Sequence, residues 1–156
     1  MKEYLIRLFN YNHWANEILT DLLLSNSVSD EYIYKLLSHN LNAQYIWLHR
    51  LDPNKKSNVE LWDIHTIEKL KEMNDEIAEF FIDYLTEIRP RDIAKKISVA
   101  NLKGETFINS IGDIMIHIGN HAAHHRGQIS SKLREMGVDP PNFNYITYAR
   151  SFPEFW

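Results

Sequence analysis

The sequence contains no cysteine in its 156 residues. That removes disulfides, thiolate metal ligands and cysteine nucleophiles together, and it fits a cytoplasmic protein. A surplus of basic residues is also missing. The formal charge is −4, so no basic stripe of the kind that nucleic-acid binding needs is present. No apolar run approaches the ~18–20 residues that span a bilayer. The N-terminal MKEYLIRLFNYNHWAN is amphipathic and interrupted by Arg7 and Asn10, unlike a signal peptide. Repeats, low-complexity tracts and dividing linkers are absent too, so residues 1–156 are expected to form a single domain with a full core.

What the chain does have is histidine, concentrated in one place. Residues 110–137 read SIGDIMIHIGNHAAHHRGQISSKLREMG and carry four of the eight histidines. Ser110-x-x-Asp113 is a capping start signal; Gly137 followed by Pro140 and Pro141 is a stop. At about 100° per residue, Ile111, Ile114, Met115, Ile118, Ala122, Ile129 and Leu133 share one face. His125 falls within that arc and His121 at its edge, whereas His117 and His124 project toward the polar side. The His121/His125 spacing of i, i+4 brings two imidazoles within reach of one ion, about 5–6 Å apart at Cβ. A third ligand must come from another helix.

Three further helices are expected. Residues 2–25 place Tyr4, Leu8, Tyr11, Ala15, Ile18, Leu19 and Leu22 on a broad apolar face, with Asn12 inside it. A buried amide needs partners, so Asn12 is expected to bond a neighbouring helix or a water. After the turn Ser27–Asp30, a second helix runs to about Leu51 with Ile33, Leu36, Leu37, Gln44, Trp47, Leu48 and Leu51 as its stripe. His39 flanks that stripe, and His49 lies near the opposite face with Asn42, Tyr45 and Asp52. His39 is therefore the better inward ligand. The polar loop 52–58 ends at an apolar anchor, Leu61-Trp62, and His65 reads as a cap or surface residue. Helix three covers about Thr66 to Ile88, with Ile67, Leu70, Ile77, Phe81, Tyr84, Leu85 and Ile88 inward, a charged solvated face opposite, and Pro90 as its stop.

Residues 96–109, KISVANLKGETFIN, are β-branched and aromatic around Leu102-Lys-Gly104 and predict a short hairpin. An isolated hairpin is marginal in water, so it should lie against the helices. A last short helix is expected around Tyr145–Arg150. The chain as a whole reads as all-α, a four-helix bundle with a small β-hairpin before the last long helix. Sites in such bundles are built from side chains on facing helices.

The segments YNHWAN at 11–16, SHNLNAQYIWLHRL at 38–51 and HIGNHAAHHRGQI at 117–129, followed by LREMGVDPP, resemble the DinB (damage-inducible), YfiT-like superfamily of metalloenzyme-like proteins. The resemblance covers essentially the whole chain, and its strongest element is H-x-x-x-H-R-G-Q, here His121 to Gln128. It implies an up-down-down-up bundle, commonly a homodimer, and a divalent metal held by three histidines. Carried onto this sequence these are His39, His121 and His125, with His117 as the rival ligand. One departure is Asn144, where the family often has Asp, which removes a negative charge near the bundle end.

Three neutral imidazoles suit zinc, nickel, copper or iron(II), with zinc or nickel the leading expectation. Three protein ligands leave a position for water or substrate, as in catalytic zinc sites. No Glu lies within the histidine motif, unlike the H-E-x-x-H metalloproteases. Gln128 is expected either to bond a metal-bound ligand or to contact helix one at Asn12 or Asn16. Gly127 predicts a close helix approach, and Arg126 an ion pair or subunit contact. The resemblance implies a metal-dependent transferase of low-molecular-weight thiols acting on a small molecule, with Tyr148 and Arg150 near the pocket. The competing readings are a metal-dependent hydrolase and a non-catalytic, metal-binding stress-response bundle.

Overall fold

The computed structural model describes residues 1–52, 58–101 and 103–153. Four long helices dominate: α1 (Lys2–Ser25), α2 (Glu31–Leu51), α3 (Ile67–Glu87) and α4 (Ile111–Glu135). A 3-10 turn (Pro90–Ala94) and an antiparallel hairpin, β1 (Lys96–Ala100) and β2 (Thr106–Ser110), separate α3 from α4, and a short α5 (Tyr145–Ser151) closes the described chain. Much of the expected loop 52–58 and the residues after 153 lie outside the described residues.

The helix ends follow from side-chain chemistry. Asp30, Thr66 and Ser110 each accept a bond from the backbone N–H three residues on, satisfying a donor that the first turn leaves orphaned. At the far end of α4, Gly137 takes φ +76°, and the Val138 N–H returns to the Leu133 carbonyl at 2.9 Å. That left-handed residue is the exit the Gly signal foretold.

Contacts between side chains fix the helix directions. Lys2 reaches the Thr86 carbonyl and Asn16 bonds Asn74, so α1 and α3 run antiparallel. Lys132 faces Asp30 while His117 faces Trp47, so α2 and α4 are antiparallel as well. Tyr34 feels Glu68 and Tyr45 bonds Glu76, which makes α2 and α3 parallel. The bundle is thus up-down-down-up, with α1 parallel to α4.

The seven apolar residues assigned to the inner face of α4 are all buried. All of them but Ala122 join Leu5, Phe9, Leu37, Leu70 and Phe81 in one core, in which the Phe9 and Phe81 rings stack at 4.3 Å. Each such side chain contributes roughly 1.5–3 kcal/mol through burial. The hairpin meets the bundle mainly through β1: Val99 is buried, whereas its cross-strand partner Phe107 and the neighbouring Ile108 on β2 are exposed.

Several expectations are corrected here. Tyr4, assigned to the apolar face of α1, is 56% exposed, because Leu5 and Phe9 take the core in its place. Gly127 has nothing within 4 Å of a Cβ position, so no helix approaches it. The close approach is at Gly119, where a Cβ would stand 2.8 Å from Leu8 of α1. Arg126 is buried, not on a flank. Its guanidinium donates to Asn12 Oδ1 at 2.8 Å and Asn16 Oδ1 at 3.0 Å, and it lies 5.3 Å from the Tyr11 ring centre. Two amides and a ring face stand where a carboxylate was expected, and Asn12 has the interhelical partner that its position demanded.

Candidate metal centre

The site begins with α2. On one face of this helix, Ser38, His39 and Asn42 hold the linker that leads into α3. Ser38 Oγ accepts from the His65 N–H at 3.0 Å, Asn42 Nδ2 donates to the Asp63 carbonyl at 2.8 Å, and Asn42 Oδ1 meets His65 Nε2 at 2.7 Å. The linker therefore covers Asn42, which helical periodicity had set on the outer face with His49 and which is fully buried. His49 itself is exposed, as expected.

Pinning the linker places Leu61 and Trp62 against His39. The Trp62 ring stacks on the imidazole at 3.9 Å with planes 18° apart, and the Leu61 carbonyl lies 3.3 Å from Nδ1. A carbonyl only accepts, so Nδ1 of His39 carries the proton and Nε2 presents a lone pair. His125 is fixed in the same way: its Nδ1 lies 2.7 Å from Gln128 Oε1, which leaves Nε2 as the inward lone pair. Orientation of the outer ring nitrogen by an acceptor is the arrangement that prepares histidines for a metal. Gln128 thus acts on His125 itself rather than on α1.

The inward nitrogens converge on His121. Its Nε2 is 3.3 Å from that of His39 and 3.1 Å from that of His125. One ligand atom from each of the three histidines lies within 4.8 Å of the others. Two nitrogens bound at about 2.0–2.1 Å across a tetrahedral angle stand roughly 3.3–3.4 Å apart, so the spacing fits an ion with little adjustment. Without one, lone pairs face each other, and His121 has a single Nε2 proton to offer against two acceptors. The donor set could hold a divalent metal.

The electrostatics agree. Burial pushes the pKa of His121 down to about 4, and neighbouring His125 and His39 push in the same direction. His39 and His125 are also held below the ordinary value, chiefly by burial. All three are neutral imidazoles near pH 7, the form that ligates.

The other histidines stay outside the cluster. His117, the rival ligand, is exposed, with its ring 5.5 Å from Trp47 and 5.8 Å from His121. His124 is exposed beside His125, and His13 pairs with Asp75 at 2.7 Å. A cavity of about 170 Å³ opens beside His39 and His121, lined also by Ala43, Ile46, Trp47, Arg50, Leu61 and His117. Tyr148, expected near the pocket, is instead buried against Tyr11 and Trp14, where α5 packs on the side of α1. Arg150, also expected there, is exposed on that helix and absent from the lining. Asn144 precedes α5 and makes no side-chain cap bond. Among the described residues no helix is long and apolar enough to cross a membrane.

The model of the DinB family matches residues 1–154. The uncharacterized protein YizA of Bacillus subtilis is 25% identical over 151 residues, spanning 91% of this chain and 94% of that protein. Protein DinB of the same organism is 22% identical over 165 residues, spanning 95% of each.

Proposed function

The chain belongs to the DinB family, and from that premise we propose that His39, His121 and His125 hold a divalent metal, zinc or nickel, in a metal-dependent transferase of small thiols. The observation that carries this reading is the convergence of three Nε2 atoms from two helices beside a cavity. Three protein ligands leave a coordination position for a fourth group, and the cavity supplies the space from which it would enter.

An ion bound there would favour the thiolate form of a thiol at neutral pH. The rest falls to the chain. Gln128 and the Leu61 carbonyl orient two of the imidazoles, and Trp62 covers the outer face of His39. Ala43, Ile46, Trp47 and Leu61 give the cavity an apolar wall against which a thiol's carbon chain can rest. Among the described residues no carboxylate lines it, so the general base that hydrolysis ordinarily uses has no candidate at this wall. Thiol transfer is the better match to these residues, because a thiolate already lacks the proton that a base would remove.

The test is consumption of an alkylating electrophile by metal-loaded protein, with and without a small thiol. The expected result is turnover only when thiol is supplied, lost on treatment with chelator. Turnover of an ester without thiol would favour hydrolysis, and metal uptake without turnover of either would favour a binding role.

A further inference from the structure

Among the described residues the histidine cavity holds one permanently charged side chain, Arg50, which the metal-site reading does not use. Arg50 lies in the last turn of α2, half-buried, with its guanidinium 4.5 Å from the centre of the Trp47 ring. Arg126, the other guanidinium near the histidines in sequence, spends its donors on Asn12 and Asn16. Arg50 differs: among the described residues it forms no ion pair and no hydrogen bond. A guanidinium has five N–H donors in a planar fork matched to carboxylate geometry. The contact with the Trp47 ring holds the guanidinium in place, and its N–H donors have no acceptor among the described residues.

The surroundings say what that partner is. Arg50 lines the cavity beside His39 and His121, and it also lines a second cavity of about 330 Å³ beneath the hairpin, which shares Trp47 and His117 with the first. The first space is small for a ligand, but the two together reach the range of small-molecule sites. Neutral imidazoles do nothing to cancel the charge of a bound cation, and among the described residues no carboxylate lines the histidine cavity. Among the described residues the one acid in the second lining, Asp113, is engaged by Ser110 at 2.6 Å, and Glu60, which shares a further cavity with Arg50, forms no ion pair with it.

We propose that Arg50 is the anion anchor of this cleft, receiving a carboxylate on the same molecule whose other end occupies the position beside the three histidines. The substrate class is therefore a small carboxylic acid, a thiol acid if the preceding reading holds, with its chain lying over Trp47. This rests on the metal-site reading, and the experiment below separates the two.

The probe is cobalt(II)-loaded protein titrated with mercaptoacetate, 3-mercaptopropionate and 4-mercaptobutyrate, and with the mercapto-alcohols of equal length, followed by the thiolate-to-cobalt charge-transfer band. The variants are Arg50→Gln and Arg50→Lys. For at least one acid, Arg50→Gln is expected to weaken binding about tenfold or more, the size of one charge-assisted hydrogen bond. The matching alcohol should bind wild type and variant alike, cobalt content should not change, and Arg50→Lys should recover part of the loss. Equal weakening of acid and alcohol, or no weakening of any acid, overturns the anchor while leaving the metal site standing. Failure of the wild type to retain cobalt overturns the metal-site reading and the anchor with it.

Discussion

Nε2 of His39 lies 3.3 Å from Nε2 of His121, across 82 residues of sequence and two antiparallel helices. Neither imidazole reaches this position by chance of rotamer. His39 is held from behind by the Leu61 carbonyl and the Trp62 ring, and His121 meets a third nitrogen from His125 one turn further along α4.

Gln128 sets the tautomer of His125 through a 2.7 Å contact. Replacing it by Leu removes the acceptor and frees the ring. The expected effect is about a 10–100-fold loss of metal affinity, as for other groups that orient ligating histidines, measured by competition with a chromogenic chelator. Thermal stability without metal should change far less.

Acid should destabilise the metal-free protein through the same residues. His121 titrates near its ordinary 6.5 when unfolded and at about 4 when folded. Between those values the unfolded chain binds the proton and the folded chain does not, so stability falls as pH falls through that window. His39 and His125, also depressed, act in the same direction. Denaturant midpoints of metal-free protein from pH 7.5 to 4.5 check this. The triple variant replacing His39, His121 and His125 by Gln should show a shallower slope, and an equal slope would count against the assignment.

The buried Arg126 depends on its two amide acceptors. Asn12→Leu leaves a charged donor without its 2.8 Å partner in a dry interface, at an expected cost of about 1.5–3 kcal/mol in urea unfolding. Asn12→Asp keeps an acceptor and supplies the missing opposite charge, so it should cost less.

The bundle and the inward pair on α4 were legible because both depend on periodicity, which only ranked His39 above His49; the family resemblance completed the set of three histidines. Apolar residues at helical spacing specify α4 and its inner face, and the same spacing sets His121 and His125 inward and His117 outward. What stayed hidden depends on contacts that no period encodes. The linker through Leu61 and Trp62 has no repeat to read. Its docking on Ser38 and Asn42 both buries Asn42 and gives His39 its outer partners. Arg126 was misplaced for a related reason: charge on a helix flank normally signals solvent, yet Asn12 and Asn16 one helix away make burial tolerable. The two buried amides on α1 were the available signal, since a polar pair inside an apolar face asks for a polar partner opposite. Arg50 gave no signal at all until the hairpin and α2 enclosed it.

The most direct test of the central claim is the metal content of protein purified without added metal and then dialysed against a single divalent ion. Wild type, His117→Ala and His124→Ala should each retain close to one ion per chain, and His39→Ala, His121→Ala and His125→Ala should each retain far less. Equal retention by wild type and the His121→Ala variant, or loss of the ion on replacing His117 alone, would contradict the site described here.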